Sequence, residues 1–273
     1  MRQANPVITG IRRGLLVPEA GTAQRTYFAC LVLQAAALVL WWPKSSLADT
    51  LAAEQGPQPL LAVIVTLGLT TAYYSVRAGA EEFLLPGQQS VREWVLSTPL
   101  SIGRILRGSV LGHLAHTFYL LMFSLPLICV AFSVGGIEWR ILALSLCTVV
   151  FQAMFFWLAG ANVYLRMGHR GDATFFGIRT LLVVVYAVTA WLLPAASHVM
   201  VSIDSLGTGT YAIGDFMALH AYQVFLLIHL VTIVVLVSAL YSQLRRYRAA
   251  GPALKSSGKS KTEVDNTGRD SPM

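Results

Sequence analysis

Charged residues are scarce in this chain. Asp, Glu, Lys and Arg together make up 12% of its 273 residues, whereas a soluble globular domain carries about 25%. So few charges cannot solvate the surface of soluble domains of this length, which excludes a soluble enzyme. The chain has three cysteines, too few for a secreted scaffold held by disulfides. Its 55% of apolar residues excludes a disordered chain.

The cysteines also lack the spacing of a metal or redox motif. Cys30, Cys129 and Cys147 lie far apart, each inside an apolar stretch. This placement predicts small core residues without a ligand role. No nucleic-acid motif and no Gly-x-x-x-x-Gly-Lys-Ser/Thr loop for nucleotide phosphates is present.

Long apolar runs are what the chain has in abundance. A bilayer core of about 30 Å requires about 20 apolar residues in a helix, and lipid forces a spanning segment to satisfy its own backbone. The sequence therefore predicts an all-α membrane protein with six transmembrane helices. The predicted spans are Thr26–Trp42, Leu60–Val76, Ser109–Val134, Ile141–Tyr164, Thr180–Val201 and Met217–Tyr241. Pro126 and Pro194 are expected to kink the third and fifth.

The positions of the basic residues predict the orientation. Eighteen of the 20 Lys and Arg residues fall before the first span, after the even-numbered spans or in the tail. The opposite connections hold only Lys44 and Arg140. By the positive-inside rule, both termini are cytoplasmic, and the expected location is the cytoplasmic (inner) membrane.

The segments outside the spans differ from each other in character. Residues 1–25 form a cytoplasmic leader, in which Asn5 and Pro6 start a short basic amphipathic helix at the membrane interface. Residues 26–244 form the six-span domain. Residues 245–273 are basic and polar, which predicts a disordered tail.

The connection between the second and third spans has a recognisable local design. Ser90 and Glu93 fit a capping box that starts a short helix with one apolar face, and Pro99 ends that helix. Ser101 is placed to cap a second helix, which leads into the third span. Such an elbow is suited to docking on a cytosolic partner, although a loop that only lies on the membrane fits the same pattern.

The stretch Glu93–Ser101, followed by Gly108, resembles the type-2 ABC transporter permease family. Its members typically show a glutamate, an apolar pair, Thr-Pro-Leu-Ser and a glycine at the start of the next span. Asn5-Pro6-Val7 before an interfacial helix, six spans with cytoplasmic ends, and a long loop after the second span are also similar. The family's fifth-to-sixth loop often dips into the membrane as short helices. The chain departs from the family pattern just before Glu93, where it has Gln88, Gln89, Ser90 and Val91.

The resemblance implies the membrane half of an ATP-driven exporter. A separate ATPase, in two copies, would bind ATP and magnesium beneath two permeases, the second being another copy of this chain or a paralogue. No cofactor is expected on this chain, and it is not expected to be an enzyme itself. The elbow would be the coupling helix seated on the ATPase, formed by Arg92, Glu93, Trp94, Val95, Thr98, Pro99, Leu100 and Ser101.

Two other classes of function remain open. Glu81 and Glu82 with the Phe225-x-x-x-His229 stretch resemble part of the CAAX-type intramembrane proteases, but Pro86 stands in place of their arginine. A membrane scaffold with no transport role would share the topology.

The polar residues within the spans are expected to form hydrogen bonds between helices. They are Gln34, His113, His116, Gln152, Asn162, His198, His220, Gln223 and His229. Because few ionisable groups lie in the spans, an amphiphilic or lipid-linked cargo is favoured over an ion.

Overall fold

The computed structural model describes residues 21–44, 58–81, 99–135, 137–167, 172–192, 196–207 and 221–262. Within these ranges the chain is helical, as predicted. The helices are α1 (Gly21–Leu40), α2 (Gln58–Glu81), α3 (Ile102–Gly135), α4 (Trp139–Met167), α5 (Asp172–Leu192), α6 (His198–Gly207) and α7 (Ala221–Thr262).

Helix α4 lies at the centre of the bundle. It packs most extensively against α2 and next against α7. Helices α2 and α4 run parallel, because Gly68 lies beside Gln152 and Val76 lies beside Gly160. Helix α7 runs parallel to α4 as well, since Tyr222 contacts its first part and Tyr247 its last.

Glycines allow α2 and α4 to approach at backbone distance. A Cβ atom added at Gly79 would overlap the carbonyl oxygen of Trp157, and one added at Gly160 would overlap that of Val76. Each helix therefore presents a glycine to the other's main chain. Close approach through small residues is a common way for helices to associate in lipid, where apolar side chains gain little by leaving the bilayer.

Polar and apolar side chains are distributed as in a membrane protein. Large apolar side chains are exposed along α1, α3, α5 and α7, including Phe28, Phe118, Leu181 and Val234; we call this surface the apolar belt. In contrast, Gln34, Thr148, Gln152 and His198 are fully or almost fully buried. A water-soluble fold would bury the large apolar side chains and expose most of the polar ones.

Among the residues that the structure describes, four helices are long and apolar enough to cross a membrane: Gln58–Gly79, Ile102–Gly135, Trp139–Arg166 and Tyr222–Ala249. They correspond to the predicted second, third, fourth and sixth spans. Shorter apolar helices, Tyr27–Leu40 and Phe176–Val188, lie within the predicted first span and across the start of the fifth. The membrane character of the fold is thus clear for these four helices.

The predicted fifth span, Thr180–Val201, is not one continuous helix. Helix α5 ends at Leu192 and α6 begins at His198. Pro194 lies between them in the sequence, and proline cannot supply the backbone N–H that would continue the hydrogen-bond ladder. Pro126, by contrast, lies inside the continuous helix α3.

Two of the sequence predictions concern the ends of the chain. The leader's interfacial helix falls in residues 1–20, outside the described residues. At the other end, α7 continues to Thr262, into the segment from 245 onward that was predicted to be disordered. A helix already nucleated over many turns extends at low cost, and Tyr247 and Arg248 are held by the bundle.

The prediction that all three cysteines are core residues is wrong for two of them. Cys30 is buried, whereas Cys129 and Cys147 are exposed. Cysteine is a small apolar side chain, so it is equally compatible with a lipid-facing position, where sequence hydropathy alone does not distinguish it from a core residue.

Candidate functional site

A polar cluster around His198 occupies the centre of the bundle. The imidazole is fully buried at the start of α6. Its Nδ1 lies 2.9 Å from Thr148 Oγ1 on α4 and 3.3 Å from Ser202 Oγ. Its Nε2 lies 3.3 Å from the carbonyl oxygen of Ile64 on α2. Three helices therefore meet on one side chain.

The partners of His198 are those of a neutral ring. A carbonyl oxygen can only accept, so Nε2 carries the proton and donates it to Ile64. Nδ1 then accepts from the Ser202 hydroxyl at 3.3 Å, because the Thr148 hydroxyl donates its proton to the Ser145 carbonyl at 2.7 Å. The ring is satisfied without a charge, which suits a fully buried position.

Gly68 determines where the His198 ring can lie against α2. A Cβ at Gly68 would overlap the His198 ring, so only glycine leaves room for the imidazole against α2. Gly68 is ten residues after Gln58, the first residue of α2, which is about 15 Å along a helix axis. The start of α6 is therefore level with the interior of α2, and α6 is a short helix that enters the bundle.

His229, on α7, belongs to an aromatic stack next to this cluster. Its ring stacks on Phe225 with 3.8 Å between centroids and meets Phe155 edge-on at 5.5 Å. Its Nδ1 lies 3.0 Å from the carbonyl oxygen of Phe225, so it bonds within its own helix. This side chain packs as a core residue.

The residues of the alternative protease site are placed as follows. Glu81 is the last residue of α2, Glu82 lies outside the described residues, and His229 is enclosed by Phe225 and Phe155. Within the described part of the chain, no group of three or more His, Cys, Asp or Glu side chains could hold a metal ion.

Several of the other polar residues form bonds between helices, as expected, whereas the amides of Gln34 and Gln152 are buried without a hydrogen-bond partner among the described residues. His113 Nε2 on α3 donates to the Ala153 carbonyl on α4 at 3.3 Å. His116 Nδ1 lies 2.7 Å from the Tyr27 hydroxyl on α1. Asn162 Nδ2 on α4 donates to the Leu236 carbonyl on α7 at 3.1 Å. Gln223 is exposed, and His220 lies outside the described residues.

The predicted coupling elbow is described only at its end. Arg92, Glu93, Trp94, Val95 and Thr98 lie outside the described residues.

From Pro99 onward the local prediction can be compared with the structure. Pro99 and Ser101 are exposed and Leu100 is half-buried. The Ser101 carbonyl accepts from the Arg104 and Ile105 amides at 2.9 and 3.1 Å, so Ser101 is the residue at which α3 starts.

The start of α3 is amphipathic, as its sequence predicts. Ile102, Ile105 and Leu106 are buried, while Arg104 and Arg107 are exposed. Helix α3 continues without a break to Gly135. The residues after Ser101 therefore belong to the same helix that crosses the bundle.

Helix α7 contacts the residues around the start of α3. Arg248 donates from its guanidinium to the Leu100 carbonyl, and Tyr247 donates from its hydroxyl to the Leu165 carbonyl. One turn earlier, Leu244 packs in a core cluster with Ile102 and Leu106. The residues after the elbow are thus joined to both α4 and α7.

No known protein family, characterised protein or solved structure matches this chain. Its function has to be inferred from the arrangement of its residues.

Three features inside the helical bundle were not predicted from the sequence. They are the contact of Arg248 with Leu100, the seating of His198 on Gly68, and the glycine contact between α2 and α4. Only the last has a sequence signal, because Ser75 and Gly79 form a small-x-x-x-small pair. The others join residues distant in the sequence.

Proposed function

We propose that the chain is the transmembrane permease subunit of an ATP-driven exporter of the type-2 ABC class. In this proposal a separate ATPase, in two copies, binds ATP and magnesium and docks on the elbow that ends at Ser101. Two permeases, either identical or paralogous, assemble in the cytoplasmic membrane. The resemblance of Glu93–Ser101 to the family motif is the starting point.

The proposal includes six spans with both termini in the cytoplasm. Helix directions support this count. Because α4 and α7 run parallel, the chain between them must return across the bundle, and α5, with 21 residues, is the long helix available. Helix α1 has 20 residues, about 30 Å of helix, and packs against α2 and α3.

The contact that favours a transmission role most is the bond from Arg248 to Leu100. It fixes Leu100 to α7, while Ser101 directly precedes a helix of 34 residues whose first turns pack on α4. A loop that merely rests on the membrane needs neither link. Movement of a docked ATPase would reach α3, α4 and α7 together.

Substitutions in the elbow test the proposal, and they leave the sequences of the seven described helices unchanged. Trp94→Ala and Glu93→Lys should weaken binding of the ATPase and lower transport-stimulated ATP turnover, while membrane insertion is kept. Loss of a buried aromatic anchor costs about 2 kcal/mol or more, roughly a thirtyfold loss of affinity. The measurement is pull-down of the ATPase with each variant, combined with the rate of ATP hydrolysis.

A matched control is Trp139→Ala, because Trp139 is an exposed tryptophan at the first residue of α4. It should bind the ATPase as the unaltered chain does. Unchanged binding and turnover in both elbow variants would contradict the proposal. A chain that binds an ATPase but never stimulates turnover would instead be a scaffold.

A further inference from the structure

A pocket lies between α2, α4, α5 and α6. It encloses about 240 Å³. Its wall is almost wholly apolar and includes Ala72, Phe156, Val183, Ala187, Trp191 and Met200. Residues on both sides of the break between α5 and α6 line it, among them Trp191 and Ser197.

The polar groups in the wall are already in use. The Tyr186 hydroxyl accepts from the His198 amide at 2.8 Å and donates to the Ala196 carbonyl at 3.2 Å. Ser197 Oγ accepts from the Met200 amide at 3.4 Å. A polar ligand would lose its bonds to water and gain none here, at a cost of a few kcal/mol per group. The pocket therefore selects an apolar ligand.

The size of the pocket restricts that ligand further. An apolar cavity of about 150 Å³ holds a benzene molecule and stays dry, and pockets for drug-sized molecules begin near 300 Å³. A volume of 240 Å³ falls between these, which suits one slender hydrocarbon segment. It does not suit a bulky ring system or a headgroup.

The pocket is reached from the apolar belt. Three of its lining residues are exposed: Leu69 at 45%, Trp191 at 85%, and Ala187. The neighbouring outward side chains of α5, Val184 and Val188, are apolar and exposed as well. What surrounds such a surface is lipid, so hydrocarbon chains are the molecules in contact with the opening.

We propose that this pocket binds one hydrocarbon chain of a lipid, inserted from the bilayer between α5 and α2. Among the described helices, α5 packs mainly against α2, and the hydrocarbon chain fills the space that α5 leaves open and joins it to α4 and α6. The inference stands on the pocket alone and does not require the exporter proposal. The hydrocarbon chain can come from a bilayer phospholipid or from a single-chain lipid-linked molecule.

Photolabelling of the full-length protein in vesicles tests the site. The probes are a phosphatidylglycerol and a free fatty acid, each with a diazirine near the end of an acyl chain. Labelled peptides are identified by mass spectrometry. We expect crosslinks concentrated on the segments containing Val183–Trp191 and Val199–Met200, saturable by unlabelled lipid of the same class.

Paired variants on adjacent residues separate the pocket from the general lipid surface. Ala187 lines the mouth of the pocket and Val188 does not, although both are exposed. Ala187→Trp therefore obstructs the pocket, whereas Val188→Trp adds the same side chain to the lipid-facing surface beside it. Ala187→Trp should lower labelling by roughly tenfold or more, the effect expected when at least two methylene groups lose their burial. Val188→Trp should leave it unchanged, and Val183→Phe is a second, smaller filling variant should Ala187→Trp insert poorly.

Each result bears on the proposal. Pocket labelling by the phosphatidylglycerol probe supports it and identifies a bilayer phospholipid as the source. Labelling by the fatty-acid probe alone supports it with a single-chain molecule as the source. Labelling spread evenly over the apolar belt, or equal in the Ala187→Trp and Val188→Trp variants, would overturn it.

Discussion

His198 contacts four helices of the bundle besides its own. Its ring contacts α2 and α4, its amide is bonded to Tyr186 of α5, and Phe225 of α7 lies with its ring centroid 6.5 Å away. Buried polar groups that are fully paired specify one arrangement of helices, because any other arrangement leaves them unpaired.

At this scale we predict that His198→Ala destabilises the folded protein. The change takes the Nδ1 partner from the buried Ser202 hydroxyl, removes the second hydrogen bond of the Ile64 carbonyl, and empties the space above Gly68. An unpaired buried polar group costs about 1–3 kcal/mol, and the cavity adds to this. The melting temperature of the purified protein in detergent measures the effect.

Gln223→Ala provides the matched control for His198→Ala. Gln223 is polar and also lies in a predicted span, but it is exposed, so its removal should leave the melting temperature nearly unchanged. Equal melting temperatures for the two variants would show that the His198 cluster does not hold the helices together.

For the buried polar residues, the sequence predicted that hydrogen bonds form between helices, but not which residues they join. The sequence indicated that His113, Asn162 and His198 face the interior and bond between helices, because polar groups are costly in lipid, and their hydrogen bonds confirm it. Their partners lie tens of residues or more away in the chain, and no local pattern specifies them. Cys129 and Cys147 were misplaced for the opposite reason, since an apolar residue is tolerated on either face.

At the scale of helices, the contact between α2 and α4 is the tightest feature described. Here we predict that Gly160→Ala lowers stability, although alanine is the better helix former. The added methyl group would overlap the Val76 carbonyl, and two packed backbones can relieve this only by moving apart. Unfolding in a titration of mild detergent with SDS gives the change in midpoint.

Two glycines serve as controls for Gly160→Ala. A Cβ at Gly103 or at Gly177 would meet nothing within 4 Å, so alanine there should be neutral or stabilising by up to about 1 kcal/mol. A Gly160→Ala midpoint equal to these two would contradict the close approach of the helices.

The long helices were predictable from apolar length, and so was the start of α3 at Ser101. The division between α5 and α6 was expected only as a kink at Pro194. Hydropathy is continuous across this region, and it reports how apolar a segment is and not whether its backbone continues as one helix. The extension of α7 to Thr262 could not be predicted from composition, because the polar and basic residues after 245 are typical of a disordered tail.

For the whole molecule, the proposed six-span topology predicts that Ser205 and Ser256 lie on opposite sides of the membrane. Single cysteines at these positions, in a chain with Cys30, Cys129 and Cys147 replaced by alanine, should react differently with an impermeant maleimide. We expect Ser205→Cys to label in intact cells and Ser256→Cys only in inverted vesicles.

The cysteine-free parent chain measures the background labelling by the maleimide. Labelling in detergent-permeabilised cells shows that the cysteines at both positions can react. Labelling of both positions from outside intact cells would rule out a six-span chain with its tail in the cytoplasm.

The parallel pairing of α2 with α4 also sets an order of events during synthesis. Met167, the last residue of α4, follows Glu81, the last of α2, by 86 residues. At about 5–20 residues per second on the ribosome, roughly 4 to 17 s pass between the completion of the two helices. During that interval the glycine face of α2 has no α4 to pack against. Helix α2 therefore remains without its main partner during this interval. Another helix could then pack against its glycine-containing face before α4 is made.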